Sequence, residues 1–192
     1  PQQDSVGPIQ QLDLQLREDP QNPQLYATRS KLYLDSNEHV KALKDIEGAL
    51  ALDSFNVDLH LQKADILFKS NLHKRAKRVL EYAQTISPNH VGVNLELSRF
   101  ELLLNNFDAA IGYADNIIRT DVNNDRAYLA KGLAFKYGRD TSRAISSFLT
   151  AAEQNPNHYH AWMELGIFYA ELGDNIAIQY FSNAIEAAPD SA

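Results

Sequence analysis

Residues 159–189 read YHAWMELGIFYAELGDNIAIQYFSNAIEAAP, two apolar-periodic runs parted by Gly173-Asp174 and closed by Pro189. Trp162, Leu165, Gly166 and Tyr169 recur at three- and four-residue spacings in the first run, as do Ala177, Phe181 and Ala184 in the second. Such spacings place side chains on one stripe of a helix, and Gly and Pro punctuate the ends, so the stretch predicts a helix–turn–helix hairpin. The same unit recurs every 34 residues: segments beginning at Pro23, Val57, Val91, Asp125 and Tyr159 align without gaps until the last. One position is small in all five (Ser30, Ala64, Ser98, Gly132, Gly166), and a second is always alanine (Ala42, Ala76, Ala110, Ala144, Ala177). Small side chains let two helices approach while large neighbours fill the space beside them, a packing code and not a chemical one. Ala144 is therefore expected to be buried and Ser142 exposed.

This pattern resembles the tetratricopeptide repeat, in which W, L-G and Y of a first helix are followed by A, F and A of a second and P in the turn. The fourth segment supplies Tyr128, Gly132, Phe135, Ala144, Phe148, Ala151 and Pro156, departing at Lys131 where leucine is usual. The first gives Tyr26, Ser30, Tyr33, Ala42, Ile46 and Ala49, the second Ala64, Leu67, Ala76, Leu80, Ala83 and Pro88. The third is the least regular: Asn94 and Glu101 stand at aromatic positions, and Ala114 and Ile117 exchange the usual sizes. The last is one residue short between Gly173 and Ala177, which should tighten its turn or remove part of a helical turn. The resemblance implies an all-α, right-handed superhelical α-solenoid of antiparallel helix pairs with no sheet. Repeats are expected at 23–56, 57–90, 91–124, 125–158 and 159–192. Ile9, Leu12 and Leu16, followed by Asp19-Pro20, fit the apolar positions of a second helix, so residues 1–22 should hold half a repeat as a cap. The chain opens on Pro1, which reads as a processed product, and stops after a second helix, beyond which a further helix is expected.

Composition narrows the function. A net charge of −7 repels phosphate backbones, which argues against nucleic acid, and the densest basic stretch, Lys74-Arg75-Ala76-Lys77-Arg78, is too short for such a footprint. With no cysteine there is no disulfide, thiol nucleophile or Cys-based zinc site. No apolar run reaches the roughly 20 residues that cross a bilayer, so the chain is expected to be soluble, cytoplasmic or exported with a signal removed before Pro1. His39 and His73 share one repeat position and His90 and His158 another, which separates them along the stack; His158 and His160 lie two apart and do not share a helix face. They read as surface histidines, with no metal site. There is no Gly-rich phosphate loop and no G-x-S-x-G elbow, and Ser146-Ser147 falls inside a helix. No catalytic residue and no cofactor is expected.

The expected function is protein binding. In the family the resemblance points to, first helices line a concave face, and carrying its contact positions over gives Lys31, Leu61, Asp65, Phe68, Leu95, Arg99, Leu102, Arg126, Leu129, Leu133, Tyr137, Met163 and Ile167 as the partner groove, with Arg143 and Ser147 on the opposite face. The lysine- and asparagine-rich clamp by which some relatives hold chaperone tails is missing from all three possible windows, one of which reads Leu61, Asp65, Glu96, Arg126, Ala130. The chain therefore reads as an adaptor for a peptide or protein segment, with self-assembly through Ile178 and Ile185 as the alternative.

Overall fold

The computed structural model describes residues 7–187. Among them lie eleven α-helices and no strand: α1 (Pro8–Glu18), α2 (Pro23–Asp35), α3 (His39–Leu52), α4 (Val57–Lys69), α5 (His73–Ile86), α6 (Val91–Leu103), α7 (Phe107–Thr120), α8 (Asp125–Tyr137), α9 (Thr141–Gln154), α10 (Tyr159–Glu171) and α11 (Ile176–Ala187). The chain divides into two compact units at Pro88. In one, α1 lies on α2, and the pairs α2/α3 and α4/α5 stack; in the other, α6/α7, α8/α9 and α10/α11 do so. Pro189 lies outside the described residues.

The 34-residue rhythm has local causes. At the turn between repeats, Asn22, Asn56 and Asn124 each cap the following helix with a side-chain oxygen, and each donates its amide back to Asp19, Asp53 or Asp121 at 2.8–2.9 Å. One Asn thus satisfies a free helix N–H and ties it to the end of the preceding helix. At the turn within each repeat, Asn37, Asn71, Asn105, Arg139 and Gly173 adopt positive φ. The next N–H reaches back five residues, as from Glu38 to Tyr33 O (2.7 Å) and from Asp174 to Tyr169 O (2.9 Å), the Schellman arrangement that ends a helix. In the last repeat α11 starts three residues after the left-handed residue and not two, so the missing residue comes out of the helix's first turn.

Each pair closes on the small position. Gly132 faces the ring of Phe148, and a Cβ there would stand 2.5 Å from it; Gly166 stands likewise to Phe181. Ser30 and Ser98 instead donate hydroxyl hydrogen bonds to the carbonyls of Ala42 (2.7 Å) and Ala110 (2.9 Å). All five alanines of the second helices are buried, Ala144 completely, while Ser142 is exposed. Each unit has a core: Ala27, Leu34, Ile46, Ala49, Leu59 and Ile66 pack in the first, Phe135, Phe148, Ala151, Ala161, Leu165 and Phe168 in the second.

The aromatic residues divide. Phe135 and Phe148 are buried, whereas Tyr26, Tyr33, Tyr128, Trp162, Tyr169 and Phe181 are only half-buried. Two of these have polar tips that bond a turn carbonyl six residues earlier, Tyr26 to Pro20 O (3.3 Å) and Trp162 to Pro156 O (2.7 Å), which holds part of the ring at the surface.

Lys131, the departure at a leucine position, has a partner: its Nζ lies 2.7 Å from Asp115. Lys63 meets Glu47 at 2.9 Å and Arg29 meets Asp13 at 2.6 Å with the same sixteen-residue separation, so a cation of a first helix repeatedly pairs with an acid of the preceding second helix. Asp13 belongs to α1, which thereby occupies the place of a second helix. Arg29 also binds Asp45 through two nitrogens (2.6 and 2.7 Å), and these bonds hold its pKa above the ordinary arginine value despite partial burial.

Candidate functional site

Successive first helices present equivalent side chains to one face because α2 and α4 pack together, as do α6 and α8. In the first unit this face is polar. Gln24, Ala27, Thr28, Lys31, Asp58 and Gln62 contribute to a hollow of about 400 Å³ between α2 and α4, where Gln62 donates to Ala27 O at 2.8 Å. Lys31 and Asp65 are exposed, Asp65 pairing with Lys69 at 3.1 Å; Leu61 and Phe68 are half-buried, and Phe68 packs on His73.

In the second unit the face is richer in apolar groups. Leu95, Leu129 and Met163 hold one equivalent position of α6, α8 and α10, and Leu133 and Ile167 hold another in α8 and α10; all are half-buried, as is Leu102. Leu129 and Leu133 also pack against the core, so part of each serves the fold. Arg99 and Arg126 are exposed, Arg99 meeting Glu96 at 2.5 Å, and Tyr137 is 57% exposed at the end of α8. Sequence reasoning missed Lys136, whose Nζ reaches Glu164 at 2.5 Å and ties α8 to α10 on this face. The two stand 28 residues apart on different helices, a spacing no single-helix pattern signals.

The opposite side of the second unit carries two adjoining hollows of about 530 and 480 Å³ that share Asp108, Ile111, Phe135 and Arg143. The Arg143 guanidinium lies 4.4 Å from the Phe135 ring centre and bonds Asp140 at 2.6 Å. The Arg143 backbone N–H, and after it that side chain, hold the Asp140 carboxyl below the usual carboxylate range. Ser147, read as a surface residue, is buried, its hydroxyl turned back onto Arg143 O at 2.8 Å; Ser146 beside it is the exposed one.

The histidines are not uniformly at the surface. His60 is buried, its Nε2 2.9 Å from Ser54 O and its ring edge-on to Tyr82, because its helix position faces the turn before α4. Burial pushes the His158 pKa below the ordinary value, opposed by Asp125 at 4.0 Å. Among the described residues no three His, Asp or Glu side chains gather as a metal site, and no helix is long and apolar enough to cross a membrane.

Comparison with known proteins agrees with this geometry. A family model described as the tetratricopeptide repeat matches residues 129–192, and no curated protein matches the chain. Among solved structures, MamA from Desulfovibrio magneticus RS-1 is 18% identical with a TM-score of 0.70, over 88% of this chain and 96% of that one. YrrB is 22% identical with a TM-score of 0.63, over 93% of each chain. The C-terminal part of a repeat protein from Cytophaga hutchinsonii is 20% identical with a TM-score of 0.71, over 95% of this chain and 74% of that one. At these identities the likeness is one of fold. Residues 129–192 thus match the tetratricopeptide repeat, and the likeness to the solved structures shows that the chain has the fold of tetratricopeptide-repeat solenoids.

Proposed function

We propose that the chain is a non-catalytic adaptor and that the first-helix face of α6, α8 and α10 takes an extended or helical segment of a protein partner. The observation that carries this reading is the run of register-equivalent apolar side chains, Leu95, Leu129, Met163, Leu133 and Ile167, left half-open to solvent beside the exposed Tyr137 and Arg99. Apolar and aromatic anchors that lose water on binding dominate interface energy, whereas exposed ion pairs such as Arg99–Glu96 contribute little. Amphipathic segments commonly settle in such grooves. The solved structure of YrrB is described as having an unusual peptide-binding site, which supports a peptide ligand for this fold.

Panning a random-peptide phage library on the chain and titrating the recovered peptides by fluorescence anisotropy tests this. Arg99→Ala with Tyr137→Ala should weaken binding at least about tenfold, equivalent to about 1.4 kcal/mol, and leave the helical circular-dichroism signal unchanged. Peptides that bind this variant undiminished but lose affinity for Arg143→Ala with Ser146→Ala would place the site on the other side and end the proposal.

A further inference from the structure

A furrow between second helices occurs in both units, built at the same repeat positions but with different charge. In the second unit α8 packs on α7 and α9, and the hollow above it is lined by Lys131 and Phe135 of α8, Arg143 of α9, and Asp108 and Asp115 of α7. In the first unit α4 packs on α3 and α5. A hollow of about 300 Å³ is lined there at matching positions by Lys63, Leu67 and Arg75, and also by Arg78 and Val79. Glu47 of α3, equivalent to Asp115, bounds it through its 2.9 Å ion pair with Lys63.

The cations of the second furrow are neutralised within the chain. Arg143 bonds Asp140, Lys131 bonds Asp115, and Asp108 adds a further carboxylate. In the first furrow Leu72 and Val40 stand where Asp140 and Asp108 do, and they are 39% and 84% exposed. Arg75 and Arg78 are exposed and form no ion pair among the described residues, although Arg78 gives one N–H to Lys74 O at 3.4 Å. Lys44, within one turn of both Val40 and Glu47 on α3, is likewise exposed without an ion pair. Free guanidinium groups beside open apolar side chains suit a ligand in which carboxylates stand next to apolar groups.

We propose that the furrow between α3 and α5 binds an acidic segment of a protein partner, one in which Asp or Glu flank large apolar side chains. Arg75 and Arg78 take the carboxylates, each with the paired donors of a planar fork. The apolar side chains settle against Val79 and the rim at Val40. Most of the net charge of −7 falls on residues 89–192, so the first unit does not repel an anion as the whole chain would. A polynucleotide matches this surface less well, because its phosphates leave the apolar rim unused and need a longer basic footprint than one turn of α5. This is a second binding surface, on the other helix of the repeat, and it shares no residue with the α6, α8 and α10 face.

The test is a titration of the 192-residue chain into a fluorescein-labelled peptide of about 14 residues, about 20 Å long as a helix, with Asp and Glu flanking Leu and Phe. Fluorescence anisotropy should report binding at about 50 mM NaCl that weakens by about 500 mM, salts between which screening of surface charge rises steeply. Arg75→Glu with Arg78→Glu should weaken binding at least about tenfold while the helical circular-dichroism signal stays unchanged. Val40→Ser should weaken it at both salts. Lys31→Glu with Lys69→Glu makes an equal change of charge on the first helices and should leave affinity within about twofold, as should Arg99→Ala with Tyr137→Ala. A peptide that fails to bind at low salt overturns the proposal. So does binding that survives the Arg75 and Arg78 reversal, that the Lys31 and Lys69 reversal or the Arg99 and Tyr137 replacements abolish, or that a labelled oligothymidylate of equal length matches in affinity.

Discussion

Between α6 and α7 the close approach of two helices is bridged by a hydroxyl, Ser98 Oγ on Ala110 O at 2.9 Å; between α8 and α9 it is filled by a ring, Phe148, lying against Gly132. The surroundings follow suit. Around Ser98 the third repeat buries Asn94, whose amide donates to His90 O at 3.0 Å, and Glu101, which accepts from Asn106 at 2.8 Å. The fourth repeat has Tyr128 and Phe135 at those two positions. One backbone plan is thus held in one place by directional bonds and in the other by volume. A hydrogen bond contributes little net stability but is costly to break inside, whereas a packed ring tolerates no added atom beside it.

Substitutions at four positions probe that contrast and the turn beside it. The largest effect should come from Gly132→Ala, whose new Cβ would stand 2.5 Å from a fully buried ring. A net loss of about 1–3 kcal/mol is expected from overpacking, even though Ala is about 1 kcal/mol better than Gly within a helix. Adding Phe148→Leu reproduces the Ala64–Leu80 combination of the second repeat and should recover much of the loss; a thermal-melt double-mutant cycle measures this. If Gly132→Ala melts no earlier than the parent, the volume account of the fourth repeat fails. Ser98→Ala should cost about 1 kcal/mol through the lost hydrogen bond, with no clash to relieve. Should Ser98→Gly restore the parent's denaturant midpoint, the hydroxyl would be a spacer and the contrast would dissolve. The smallest effect is a gain. Arg139 holds φ 64 where the other repeats place Asn or Gly, so Arg139→Asn should raise stability by up to about 1 kcal/mol in urea titrations. A loss there would mean that the arginine side chain stabilises the turn in a way its backbone geometry does not show.

Much of the fold was legible because its signals are local. Apolar side chains recur at helical spacing, Gly and Pro punctuate the ends, and alanine returns every 34 residues, so helix existence and order could be read without a partner in view. The candidate surface was legible only as a set of positions. That Leu129 and Leu133 are shared with the core while Tyr137 stays open depends on how neighbouring helices cover them, and His60 and Ser147 were misplaced because each turns its polar atom onto a backbone carbonyl.

By itself the amino-acid sequence determined the unit, its register and the need for small residues where helices cross, since each follows from periodicity and backbone preference along one stretch of chain. Only the tertiary structure decided which residues meet. The Lys131–Asp115 and Lys63–Glu47 pairs, the Lys136–Glu164 tie and the seating of Phe148 on Gly132 depend on the rotation and stagger of packed helices. Those are set by the summed fit of many side chains across an interface, a quantity that no single helix carries.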